Sequence, residues 1–149
     1  MRVSARERAN PISRNPAALA FGFVNNGVLL PHEALEPERL EELRVSLGQK
    51  GILYHPVIAD RDSLVILDGH HRVQILRELG CARVPVYLVR YKDPAIRVFS
   101  RRPGITVDKG TVIDRGLGGT PFPARTSRHV FPEAPRPRPT RLGHLRDRY

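Results

Sequence analysis

The segment Asp68-Gly69-His70-His71-Arg72 combines residue types that suit a phosphate-binding site. It follows an apolar run typical of a buried strand and precedes a helical pattern. Free backbone N–H groups and the positive end of the helix dipole then meet at one point. Gly69 lets the backbone approach a ligand closely, and Arg72 offers a planar set of donors to phosphate oxygens. The two histidines add donors, or one of them exchanges a proton.

The same five residues also have a simpler interpretation. Asp68 is a good helix N-cap, Gly69 a turn residue, and the cations are commonly solvated. Asp68 could equally orient a histidine or hold a metal ion. Short motifs recur by chance, so the residues alone leave the phosphate site and the plain helix cap both open.

The elements that must position this segment follow from apolar spacing and from breakers. Glu36-Pro37-Glu38 predicts a helix start, Leu40, Leu43 and Leu47 form its apolar stripe, and Gly51 predicts its end. A second helix is predicted from the Asp-Gly-His-His-Arg segment to about Leu79. A third, short helix is predicted from Thr106 to about Leu117. Strands are predicted at 28–30, 56–59, 64–67, 84–91 and 96–99. Mixed strands and helices predict a small α+β domain.

Composition separates a nearly neutral centre from basic ends. The chain has 149 residues and a net charge of +10. Residues 1–16 are polar, basic and interrupted by proline, which predicts a mobile arm. Residues 132–149 alternate Pro and Arg, which predicts a disordered tail. Residues 17–131 are then the folded domain, and the basic ends favour weak, nonspecific contact with nucleic acid.

Other classes of protein are disfavoured by the same sequence. No apolar run approaches the length of a membrane span, and no signal peptide is visible. The single cysteine, Cys81, excludes an internal disulfide framework and fits a small buried side chain. We therefore expect a cytoplasmic protein with no membrane partner.

The order of motifs over about residues 28–91 resembles the ParB/sulfiredoxin-like family. That order is a helix, Gly-Ile-Leu, two strands, Asp-Gly-His-His-Arg, a helix, Leu-Gly-Cys and Val-Pro-Val. Within this family the chain looks most like the free L-serine kinases. It has their early His32-Glu33 pair, their Asp68–Arg72 box and their late Thr126-Ser127-Arg128-His129 segment.

The resemblance implies a ParB-like fold and phosphoryl transfer from ADP or ATP to the hydroxyl of free L-serine or a similar small molecule. Phosphoserine, the product, would link the protein to cysteine biosynthesis. Mg²⁺ is expected with the nucleotide phosphates, and its protein ligands remain unknown. The residues that match the family's motifs then divide into three groups. Glu33, as general base, Asp68 and His71 are the catalytic candidates, Gly69, His70, His71 and Arg72 bind the nucleotide, and Thr126, Arg128 and His129 bind the acceptor.

Three other functions compete with this interpretation. Chromosome-partition relatives bind DNA, which the basic ends favour, but no helix-turn-helix region follows the domain here. Sulfiredoxin chemistry needs a Cys just before His-Arg, where this chain has His70. A regulatory module that senses a nucleotide without catalysis would use the same phosphate box, because a fold does not fix a function.

Overall fold

The computed structural model describes residues 20–146, so the arm predicted at residues 1–16 lies outside it. The strands are β1 (Ala20–Asn25), β2 (Ile52–Leu53), β3 (Val57–Asp60), β4 (Ile66–Asp68), β5 (Arg83–Val89), β6 (Arg97–Ser100), β7 (Ser127–Val130) and β8 (Thr140–Arg141). The helices are α1 (Pro37–Lys50), α2 (His70–Glu78), α3 (Lys109–Gly118) and α4 (Leu142–Arg146), with a 3₁₀ turn at Asn26–Val28. The predicted α+β class is confirmed.

A mixed four-stranded sheet forms the centre, with strand order β1-β5-β3-β4. β5 pairs antiparallel with β1 and parallel with β3, and β3 pairs antiparallel with β4. All four residues of β3 are buried, as expected for a strand with both sheet faces covered. The remaining strands form two two-stranded sheets, β2-β8 and β6-β7.

Two apolar cores cover the two faces of the sheet. Val57 and Ala59 of β3 pack with α1, α2 and α4, including Leu47 and Leu76. Ile58 points to the other face and packs in a core that includes Val112 of α3. Side chains along β3 alternate between the two cores because successive residues of a strand point to opposite faces of the sheet. The packing of α2 in the first core holds this helix beside the end of β4.

The short apolar run at 28–30 is not a strand, contrary to the prediction. The chain makes a 3₁₀ turn there, because the Asn25 side chain accepts a hydrogen bond from the N–H of Gly27 at 2.8 Å. Only Leu30 keeps a single bridge, to Val65. The third helix also begins later than expected, since Asp108 and Thr111 form its capping box.

The disordered tail predicted for residues 132–149 is not observed in the part that the structure describes, which ends at residue 146. β8 pairs with β2, and Leu142 and Leu145 of α4 are buried in the first core. The carbonyl of Arg136 accepts a hydrogen bond from the Tyr87 hydroxyl at 2.9 Å. Two apolar side chains and these backbone contacts hold the segment, so the folded domain extends beyond residue 131. Between residues 20 and 146, no helix has the length and apolar character needed to span a membrane.

Candidate functional site

The Asp-Gly-His-His-Arg segment opens onto a cavity of about 410 Å³, in the usual size range of ligand pockets. Residues from five regions of the chain line it: the stretch before α1, α1 itself, the β4–α2 junction, the end of β6, and β7 with the loops on either side of it. Most residues predicted for the site lie here together. They are Glu33, Asp68, Gly69, His70, His71, Arg72, Arg128 and His129.

Gly69 gives the β4–α2 junction its shape. Its φ is +108°, a region that L side chains rarely adopt. A Cβ at this position would lie 2.8 Å from Nη2 of Arg72 and 3.0 Å from Cγ2 of Val57. No side chain between residues 20 and 146 caps α2, so its first-turn N–H groups stay open to an anion. The capping role considered for Asp68 is therefore not observed, and its exposed carboxylate lies 3.5 Å from Nη2 of Arg72.

Arg72 is held loosely by its neighbours. Besides the 3.5 Å contact with Asp68, Nη2 reaches the carbonyl of Pro56 at 3.4 Å. Its Nε is buried and has no hydrogen-bond partner among residues 20–146. An unpaired buried donor costs free energy, and a phosphate oxygen is the type of acceptor that would satisfy it.

The two histidines accept hydrogen bonds from the backbone before α1. Nε2 of His70 accepts from the N–H of His32 at 3.1 Å, and Nε2 of His71 accepts from the N–H of Glu36 at 2.9 Å. Each neutral ring therefore carries its proton on Nδ1. These two hydrogen bonds connect the segment that contains Glu33 to α2. The Nδ1–H group of each ring is then the donor available to a ligand.

Burial keeps the imidazoles around the cavity neutral. Desolvation lowers the pKa of His70 well below its ordinary value, and the nearby His32, His71, His129 and Arg72 add to this effect. Desolvation also lowers the pKa of His71, and it lowers that of His129 to about 3. The positive charge of the site therefore comes from arginine.

Glu33 is fixed by a loop that is distant in sequence. Its Oε2 accepts from the N–H of Ser127 at 2.9 Å and from the Ser127 hydroxyl at 2.6 Å. Its Oε1 accepts from the N–H of Arg125 at 3.1 Å. The side chain is 16% exposed, so a held carboxylate faces the cavity rather than bulk water.

Arginines from several elements supply the cavity's charge. Arg39, Arg101 and Arg128 line it and make no side-chain hydrogen bond or ion pair within residues 20–146. Arg125 instead pairs with Glu36. Three unpaired guanidinium groups around one cavity form a site for an anion.

The late Thr-Ser-Arg-His segment divides between the cavity and the core. The Thr126 side chain is fully buried and donates to the carbonyl of Pro123 at 2.6 Å. Thr126 does not line the cavity, although it was predicted to bind the acceptor, and it holds the loop instead. His129 lines the cavity with Nε2 2.8 Å from the Tyr91 hydroxyl.

Sequence reasoning missed several lining residues. Among them are Glu36, Arg39, Arg101, Arg125 and Ser127. Ser127 stands inside the Thr-Ser-Arg-His segment, but its bond to Glu33 spans 94 residues of sequence. No local pattern indicates such a contact.

Sequence comparison finds relatives among L-serine kinases. An ATP-dependent L-serine kinase of Staphylothermus marinus is 33% identical over 81 residues, 52% of this chain and 32% of that protein. An ADP-dependent L-serine kinase of Thermococcus kodakarensis is 30% identical over 99 residues, 64% of this chain and 41% of that protein. A ParB-like protein of Sulfolobus acidocaldarius is 35% identical over 76 residues, 51% of this chain and 38% of that protein. The chain spans less than half of these relatives, and no protein-family model matches it.

The fold is shared with a solved structure of a free serine kinase in complex with AMP. The TM-score is 0.76 at 16% sequence identity, over 87% of this chain and 95% of the other. The architecture thus defines the class, a small α+β domain with the free serine kinase fold. Within that class, the resemblance to ATP- and ADP-dependent L-serine kinases expected from the sequence is confirmed.

Proposed function

We propose that this chain transfers a phosphoryl group from ADP or ATP to the hydroxyl of free L-serine or a similar small hydroxyl compound. One observation carries the proposal. A carboxylate held by the Arg125–Ser127 loop lines the same cavity as the start of α2. Within residues 20–146, no side chain caps that helix start and three of the lining arginines have no side-chain partner. Phosphoryl transfer depends on such positioning and charge stabilisation.

The nucleotide phosphates would bind at the start of α2. The first-turn N–H groups and Nε of Arg72 donate to phosphate oxygens, and the Gly69 backbone allows a close approach. The Nδ1–H groups of His70 and His71 add neutral donors. In this proposal His71 acts by binding and positioning rather than by exchanging a proton.

The acceptor would lie between Glu33 and β7. Glu33 takes the proton of its hydroxyl as the oxygen bonds to phosphorus and the bond from phosphorus to the departing nucleotide oxygen breaks. Arg128 and His129 line this side of the cavity and contact the acceptor. The products are the phosphorylated acceptor and AMP or ADP.

Mg²⁺ would enter the site together with the nucleotide. Within residues 20–146, no group of three or more His, Cys, Asp or Glu is arranged to hold a metal ion. Asp68, an exposed carboxylate at the cavity, is the protein ligand available to complete the coordination of a phosphate-bound ion. Mg²⁺ supplies charge neutralisation on the phosphates when it is bound.

A weak, salt-sensitive contact with nucleic acid is a separate part of the proposal, supported by the net charge of +10. A cytoplasmic location is also proposed, and it is supported by the free, buried thiol of Cys81.

The test is an activity screen read by phosphorus NMR. Purified protein is mixed with Mg²⁺, with ADP or ATP, and with serine, threonine, homoserine or no acceptor. We expect a phosphomonoester signal that appears with serine and grows with AMP or ADP. No phosphorylated product with either nucleotide and any acceptor, alongside tight sequence-selective DNA binding at physiological salt, would replace the kinase by the DNA-binding alternative.

A further inference from the structure

Behind Glu33 a line of hydrogen-bonding groups runs into the core. Oε2 of Glu33 lies 2.6 Å from Oγ of Ser127, and Oγ of Ser127 lies 2.9 Å from Nε2 of His32. Nδ1 of His32 lies 2.6 Å from the carbonyl oxygen of Ile66. His32 is fully buried, so the line connects the cavity to a side chain that solvent does not reach.

The hydrogens available to this line can be counted. A carbonyl oxygen only accepts, so Nδ1 of His32 carries a proton, and Nε2 of the neutral ring is then an acceptor. The Ser127 hydroxyl has one hydrogen to give. It can donate to Glu33 or to His32, but not to both. With Glu33 ionised and His32 neutral, one of two short contacts therefore has no hydrogen in it.

One added proton completes the line. If Glu33 becomes protonated, its O–H donates to Oγ of Ser127, and the Ser127 hydroxyl donates to Nε2 of His32. Burial lowers the pKa of His32, whereas its hydrogen bond to Ile66 and the charge of Glu33 oppose that effect. If the proton moves on to His32, Nε2–H donates to Ser127 and the hydroxyl donates to Glu33. Both arrangements fill both contacts, so the line contains one more hydrogen bond after proton uptake than before it.

We propose that Ser127 and His32 are positioning residues that share the proton taken up by Glu33. The proposal rests on the proposed function, in which Glu33 receives the acceptor's hydroxyl proton. The two residues stabilise the protonated state of the base through the Ser127 hydroxyl, and the fully buried His32 acts only through Ser127. After product release the proton returns through Ser127 to Glu33 and leaves to solvent through the cavity.

The other groups around the line do not compete for this proton. The rings of His70 and His129 lie 4.6 and 5.8 Å from that of His32. Nε2 of His70 is engaged by a backbone N–H, and Nε2 of His129 is engaged by the Tyr91 hydroxyl. Burial keeps both rings neutral. The remaining charged or titratable groups near the line are His71, Arg72 and Asp68 at the β4–α2 junction, Arg128 in β7, Arg125 and Glu36.

The Ser127→Ala variant separates proton sharing from simple hydrogen bonding. If Ser127 only donates to the ionised carboxylate, its loss makes Glu33 easier to protonate, and the acid limb of the kcat profile moves to higher pH. If Ser127 shares the added proton, its loss makes the protonated state less stable. We expect the acid limb to move to lower pH by about 0.5–1 unit, the size of one ordinary hydrogen bond. We also expect kcat to fall about 3- to 10-fold.

Two further variants complete the kinetic test. Ser127→Thr keeps the hydroxyl, and we expect it to restore the wild-type pH profile. Ser100→Ala removes the hydroxyl opposite Ser127 in the β6-β7 pair. Within residues 20–146 that hydroxyl bonds to the backbone of Arg102 alone, and we expect no change. An acid limb that stays in place or rises in Ser127→Ala overturns proton sharing while the kinase assignment stands.

Nitrogen NMR of the His32 ring decides the proposal even if no turnover is found with any acceptor. The ring is followed in the wild-type protein and in Ser127→Ala as the pH is lowered from about 8 to about 4. In the wild type we expect Nε2 of His32 to gain a hydrogen bond when the line takes up its proton, and in Ser127→Ala we expect Nε2 to stay an unbonded acceptor. A wild-type Nε2 shift that does not change, or that changes equally in Ser127→Ala, overturns the proposal. Absence of turnover in the wild-type protein counts against the proposed function alone.

Discussion

Three donors from one loop surround the carboxylate of Glu33 and hold it in place at the cavity. Glu33→Gln keeps the shape of the side chain and removes the base. We expect kcat to fall by about 10²–10⁴-fold, the usual contribution of a positioned base, with almost unchanged nucleotide affinity. Steady-state kinetics and titration calorimetry measure the two quantities.

The matched control is Glu38→Gln in the first turn of α1, where the carboxylate is exposed and outside the cavity lining. It should retain wild-type kcat. A Glu33→Gln enzyme within a few-fold of wild type would remove Glu33, and the line behind it, from the mechanism.

Arg72 should contribute to nucleotide binding through geometry as well as charge. Arg72→Lys keeps the charge but loses the buried Nε donor, and Arg72→Ala loses both. We expect the first to weaken ADP and ATP binding and the second to weaken it further, with about 10- to 100-fold lost in Arg72→Ala. Calorimetry tests this, with Arg90→Ala, exposed after β5, as the unaffected control. Equal nucleotide affinity in all three variants would mean that the Asp68–Arg72 segment is only a structural turn.

At the scale of elements, α3 sits on the sheet because Gly116 has no side chain. A Cβ there would lie 2.5 and 2.8 Å from the two γ-carbons of Val65. Gly116→Ala must push α3 away from the sheet, and we expect a loss of about 1–3 kcal/mol in the free energy of unfolding. Gly118→Ala in the same helix meets nothing within 4 Å, and it should be neutral or stabilising by up to about 1 kcal/mol. Urea unfolding compares them, and an equal effect of both would contradict this packing argument.

The C-terminal segment is a packed element rather than a tail, and Leu145 of α4 is fully buried. We expect Leu145→Ala to lower the free energy of unfolding by about 2–5 kcal/mol. Leu117→Ala, at a side chain that is 61% exposed, should change it by less than about 0.5 kcal/mol. If Leu145→Ala unfolds at the wild-type urea concentration, α4 does not contribute to the core.

The success of sequence reasoning followed the length of each pattern. α1 carries a proline start, an apolar stripe and a glycine stop within 15 residues, so α1 was predicted almost to its ends. The C-terminal segment has only Leu142 and Leu145 to indicate burial, among prolines and arginines that are typical of disorder. The site divided in the same way. The Asp68–Arg72 box is local and was found, whereas the Glu33–Ser127 bond exists only after tertiary folding.

At the scale of the whole molecule, the cavity brings together cations that the sequence keeps far apart. Arg39, Arg101 and Arg128 come from α1, from the end of β6 and from β7, and they line one site. The sequence average of +10 indicated an anionic partner without locating it. The fold gives that location, because the start of α2 and strand β7 line the same cavity.

The neutral imidazoles of this site couple its geometry to the stability of the whole chain. Burial lowers the pKa of His32, His70 and His129, and that of His129 falls to about 3. In the unfolded chain a histidine titrates near 6.5, so the unfolded state binds more protons below that pH. The contribution of these three histidines to the free energy of unfolding is thus fully present above about pH 6.5. It is lost as the pH falls toward the pKa values that the histidines have in the folded protein.

For His129 alone, the loss between pH 7 and pH 5 is about 2 kcal/mol. We expect the wild-type free energy of unfolding to fall by at least this amount over that range. His129→Gln should be less stable at pH 7, where the bond to Tyr91 is altered, and its stability should depend less on pH because one buried titrating group is gone. His55→Gln, at an exposed histidine, should keep the wild-type pH dependence. Urea unfolding at pH 7, 6 and 5 measures all three, and parallel pH profiles for wild type and His129→Gln would mean that His129 is not buried as a neutral ring.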